Sequence, residues 1–134
     1  MELHIGRLID HVHLRARDLA ASKRFYIAIF EALGIPYVQD DDHLQADEFW
    51  IDAGDGSRVH LAFQAKDRAT VDKVYAAALA AGGRDNGKPG ERPYHPGYYA
   101  GFFLDPDGNN IEAVHHGATW RSAGSVTVTF EMPK

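Results

Sequence analysis

Two stretches of this chain superpose on each other: DHVHLRARDLAASKRFYIAIFEALG and RVHLAFQAKDRATVDKVYAAALAAGG match with His11 over His60, an offset of 49 residues. In that register Asp18 falls on Asp67, Arg24 on Lys73, Tyr26 on Tyr75 and Gly34 on Gly83, while the alanine matches are discounted as common in helices. A repeat at this period means one supersecondary unit used twice. With 134 residues the chain has room for one domain. A functional site must therefore be built within that domain or shared with a second copy.

Each half opens on an alternating segment, Val12, Leu14 and Ala16 against His11, His13 and Arg15 in the first, Val59, Leu61 and Phe63 against His60, Ala62 and Gln64 in the second. Period-two alternation predicts half-buried strands. Asp18 and Asp67 stand where helix N-caps belong, ahead of amphipathic runs over about 19–33 and 68–81 that end at glycine. Further strands are expected over 36–40, 43–46, 48–53, 98–104 and 109–116, with turns at Gly54-Asp55-Gly56 and Asp105-Pro106-Asp107-Gly108. The stretch 84–97, rich in glycine and proline, reads as a long loop, and its part from Lys88 to Gly97 as a cover over bound substrate. The expected architecture is α+β: two βαβββ modules, about 5–56 and 57–117, forming a curved mixed sheet around a metal site with helices on the outer face. An extra strand at about 125–131 lies outside the repeat.

The composition narrows the function classes. A net charge of -5 without any Lys/Arg-rich run gives no footprint for nucleic acid. No apolar run approaches the roughly 18 residues that span a bilayer, and the first residues lack the form of a signal peptide, so a cytoplasmic location without membrane association is expected. The absence of cysteine excludes thiolate ligands, disulfides and thiol nucleophiles, and eight histidines leave imidazole and carboxylate as the metal donors.

Strand parity then selects among them. If the apolar sets face the helices, His11 and His60 lie on the opposite face, and Ile111 and Ala113 on the helix side turn Glu112 toward the same concavity. Two imidazoles and one carboxylate suit Fe(II), Mn, Ni, Co or Zn and leave coordination positions open. Taken singly, each of these residues reads as an ordinary polar strand residue; equivalence under the repeat is what separates the histidines from that reading. His13 shares the face of His11 and is a candidate for proton transfer, as is Tyr99, which with Tyr94, Tyr98 and Phe102 makes a possible aromatic wall. His115 and His116 are adjacent, point apart, and read as surface or pocket rim.

The segments DHVHLRARDLAASKRFY, VHLAF and HPGYYAGFFLDPDGNNIEAV resemble the vicinal oxygen chelate superfamily, which gathers glyoxalase I, bleomycin-resistance proteins, fosfomycin-resistance enzymes and extradiol dioxygenases. The resemblance covers about residues 8 to 116, and DPDGNNIE is its most specific part. It implies paired βαβββ modules cupping a divalent metal, with ligands from the first and last strands of each module, which fall on His11, His60 and Glu112. The last strand of the first module departs from the pattern: Glu48, Trp50 and Asp52 share one face, and the family position is filled either by Trp50, leaving a two-His, one-carboxylate triad, or by Glu48, giving a fourth ligand as in glyoxalase I. The function that the resemblance implies is that of a metal-dependent isomerase, lyase or dioxygenase acting on a small oxygen-rich molecule, or of a metal-free protein that sequesters an aromatic drug. A homodimer is expected in either case, because unpaired strand edges require cover.

Overall fold

The computed structural model describes residues 2–6 and 8–131. The repeat is realised element for element. The first module runs β2 (Val12–Ala16), α1 (Leu19–Leu33), β3 (Val38–Gln39), β4 (His43–Ala46) and β5 (Phe49–Ala53); the second runs β6 (His60–Gln64), α2 (Arg68–Ala80), β7 (Arg84–Glu91), β8 (Tyr99–Leu104) and β9 (Asn110–His115). Each forms its own four-stranded mixed sheet, ordered β2-β5-β4-β3 and β6-β9-β8-β7, in which the first strand pairs parallel to the last. The parallel pair requires a crossover, and the helix supplies it.

The helix ends follow from local chemistry. Asp18 accepts from the Ala21 amide at 3.0 Å, and Gly34 closes α1 in the left-handed region at φ 72°. Asp67 caps α2 twice over, accepting from the Thr70 amide at 2.7 Å and its hydroxyl at 2.6 Å. Those two bonds, hydroxyl first, hold the Asp67 carboxyl below its ordinary value. The folded state therefore releases this proton more readily than the unfolded one, and the stability gained is present above the unfolded pKa and lost as pH falls through the folded one. Urea midpoints measured from neutral to acid pH are expected to fall less steeply for Asp67→Asn than for the parent chain; parallel curves would show that the cap contributes nothing to acid sensitivity.

The two helices pack on each other, and each packs on one face of its own module's sheet, so one core serves both modules. Phe30 lies 5.2 Å from Phe49 and 5.9 Å from Phe63, ring to ring, and Phe25 lies 5.9 Å from Phe103. Leu14, Ile51, Val71, Val74 and Ile111 are buried with them. The expected α+β fold of two βαβββ modules is what the chain adopts, its mixed sheet divided into two four-stranded sheets that are not closed.

Two expectations change. Residues 84–91 are not loop but the edge strand β7, whose pairing with β8 slips between Asp85 and Gly87 and again between Gly87 and Gly90. Glycine and proline are tolerated there because an edge strand leaves one row of amides unpaired and bulges absorb the irregular residues. Only the turn that follows β7 remains of the expected cover. The extra strand, β10 (Val126–Thr129), finds its partner in β1 (Glu2–Ile5), a strand not expected from the sequence, and the two form a separate antiparallel ribbon. Val126 on it and Phe130 just after it stay exposed.

Candidate metal-binding site

Because both modules spend their apolar faces on the shared core, each turns a polar face away from it. On the second module that face carries His60, Ala62 and Gln64, with Glu112 beside Ala62 in the parallel register. His60 Nε2 lies 3.0 Å from Glu112 Oε1; the carboxylate is 3 % exposed and the imidazole 51 %. His60 Nδ1 lies 2.9 Å from the Asn110 carbonyl, which can only accept, so the neutral ring carries its lone pair on Nε2, facing the carboxylate. Two electron-rich atoms at that distance need a proton or a cation between them. The second Glu112 oxygen accepts from the Tyr98 hydroxyl, whose pKa is pushed up to about 12, first by burial and then by the carboxylate itself. Tyr98 is therefore a fixed donor, and Glu112 is a buried carboxylate held on both sides.

The polar face of the first module carries His13 and Arg15 on β2, His43 on β4, and Trp50 and Asp52 on β5. His13 Nε2 lies 2.8 Å from Asp52 Oδ1, and Arg15 Nε 2.9 Å from the same oxygen. The His13 bond, ahead of the Arg15 charge, lowers the Asp52 pKa. Trp50 and His43 stack at 4.1 Å. His11 sits just ahead of β2, exposed, with Nδ1 2.7 Å from Asp10 Oδ1, which leaves Nε2 as its lone-pair nitrogen. A carboxylate or carbonyl on the far nitrogen is the usual arrangement behind a metal-ligating histidine, and both His11 and His60 have it.

Of the three proposed ligands the chain brings His60 and Glu112 together; His11 belongs to the other face. Among the described residues no group of three His, Cys, Asp or Glu side chains is placed to hold a metal ion. One chain thus brings together two candidate donors, His60 and Glu112, and not a third. Glu48 precedes β5 and takes the Val12 amide on its carbonyl, while burial raises the pKa of its carboxyl. Trp50 is the residue in register with His13. Tyr99 points to α2, its hydroxyl 2.7 Å from Asp72 Oδ1, and it is the neighbouring Tyr98 that reaches Glu112. Tyr98 lies just outside β8, so strand alternation assigns it no face.

The DPDGN turn, the most distinctive stretch of the sequence, is a structural hub. Asp105, buried, accepts from the Tyr26 hydroxyl at 2.5 Å, the Asn109 side chain at 2.9 Å, and the amides of Asp107 and Asn109. Asn109 in turn accepts from the Val59 amide at 2.8 Å, fixing where β6 begins.

Comparison with known proteins gives a consistent result. Residues 8–113 match the Glyoxalase/Bleomycin resistance protein/Dioxygenase superfamily. A glyoxalase/bleomycin resistance protein from Albidiferax ferrireducens T118 is 30% identical, with a TM-score of 0.69 over 81% of this chain and 98% of its own. A lactoylglutathione lyase from Agrobacterium tumefaciens (21% identical, TM-score 0.59, 81% and 93% covered) and TioX from Micromonospora sp. ML1 (16%, 0.57, 81% and 98%) share the fold. No curated protein matches the sequence.

Proposed function

Because the chain belongs to the Glyoxalase/Bleomycin resistance protein/Dioxygenase superfamily, we propose that it is a metal-dependent enzyme acting on a small oxygen-rich molecule, its site made of His60 and Glu112 from one chain and His11 from a second copy. The observation that carries this reading is the His60–Glu112 pair, which directs a lone pair and a buried carboxylate at one point on an open face. His11, with Asp10 behind it, is a third donor of the same kind on a face that the chain itself leaves uncovered. A divalent ion held there would supply positive charge against an anion developing on the substrate oxygens. The protein groups have separate tasks. Asn110 and Asp10 set the tautomers of the two imidazoles, Tyr98 orients Glu112, and His13, anchored through Nε2 by Asp52, is the group placed to move a proton at Nδ1. Lyase, isomerase and dioxygenase outcomes all fit this arrangement.

A second reading, sequestration of an aromatic compound without metal, is favoured by the stacked His43–Trp50 pair on the open face of the first module. Elemental analysis of the parent chain and of its His60→Gln/Glu112→Gln variant, both purified without chelator or affinity tag, separates the two: about one ion per chain more in the parent is the expected result, and no difference would favour sequestration. Tyr98→Phe removes the hydrogen bond that orients Glu112 without touching a ligand. It is expected to weaken metal binding about tenfold with the fold unchanged by circular dichroism; wild-type affinity would detach Tyr98 from the site.

A further inference from the structure

We propose that His95 and His116 form a second cation site, separate from the His60–Glu112 pair, for a divalent ion of the kind that imidazole ligates, such as Zn(II). The two residues are 21 apart in sequence, yet His95 Nε2 lies 2.8 Å from His116 Nδ1. Their juxtaposition is built by the backbone. Gly97 and Gly117 both take left-handed conformations, φ 86° and 88°, and a Cβ on Gly97 would stand 3.2 Å from the His116 carbonyl oxygen and 3.3 Å from the Gly117 Cα. Only glycine at these two positions lets the turn after β7 lie this close to the end of β9.

The ring chemistry is that of a ligand pair. His95 Nδ1 lies 2.9 Å from the Pro96 carbonyl, an obligate acceptor, so the neutral ring keeps its lone pair on Nε2, directed at His116. The rings are only 24° from parallel, both side chains are exposed, and a cation from solvent can replace the proton they now share. Tyr98 forms one wall, 5.3 Å from the His95 ring and 5.1 Å from the His116 ring, so an ion here also braces the residue that holds Glu112. With two protein ligands the remaining positions belong to water.

The test uses a chain carrying His60→Gln and Glu112→Gln, in which the first pair is removed, so the outcome is independent of the function proposed above. Equilibrium dialysis against Zn(II) is expected to show about one ion per chain, with affinity falling roughly tenfold or more when His95→Ala or His116→Ala is added. Gly97→Ala keeps both imidazoles but pushes the segments apart, and should weaken zinc in the same direction; His115→Ala, whose ring is turned to the Ala65 carbonyl, should not. The proposal is overturned if the His60→Gln/Glu112→Gln chain takes up no zinc, or if its uptake is unchanged by His95→Ala and His116→Ala.

Discussion

Asp105→Ala is expected to cost about 3–5 kcal/mol of stability, read as a lower urea midpoint at unchanged slope. The carboxylate it removes collects four donors in a buried site, two of them, the Tyr26 hydroxyl and the Asn109 side chain, from residues that cannot reach water without moving. Leaving such donors unpaired costs more than the net value of the bonds. Tyr26 belongs to α1 of the first module and Asp105 to the turn between β8 and β9 of the second, so the loss falls on the contact that joins the halves. Burial, reinforced by Asp105, raises the Tyr26 pKa well above its ordinary value and keeps the phenol a donor. Tyr26→Phe is expected to cost less, about 1–2 kcal/mol, because Asp105 retains three donors, and the double variant should fall short of the sum of the two. An Asp105→Ala loss below about 1 kcal/mol would show that the turn does not hold the modules together.

This turn also shows how sequence and structure differ in what they reveal. Its motif is legible as family-specific, and its proximity to Glu112 invites a functional reading, but the buried phenol that it satisfies lies 79 residues away. The repeat makes His11 and His60 equivalent, because period and parity place a residue within a module. It does not say that they fail to meet in one chain, since that depends on which faces the core consumes, and Phe30, Phe49 and Phe63 decide that only on packing. Strand β7 is hidden by its glycines and prolines, which oppose strand propensity everywhere except on a bulged edge. β1 is hidden for the opposite reason: four residues are too few to read as a strand when the partner is at the far end of the chain. Tyr98 and Tyr99 cannot be told apart by pattern because the strand begins between them.

The second large effect falls on the ligands. His60→Ala and Glu112→Ala are each expected to lower metal affinity by roughly 100-fold or more, beyond the range seen for residues that only support a ligand. His11→Ala should do the same although His11 lies on the other module, which is the distinctive demand of a site shared between copies. The folds of the His11→Ala and His60→Ala chains should persist, since both residues are exposed on faces turned from the core. The His11→Ala and Glu112→Ala chains, co-expressed, give the most direct test. If the site takes His60 and Glu112 from one copy and His11 from the other, half of the randomly paired dimers are mixed, each with one intact site, and metal content should rise above that of the separate components by about one quarter of their difference from the parent. A mixture holding no more metal than its two separate components, or a parent chain that is monomeric by light scattering with metal fully bound, would contradict the shared site.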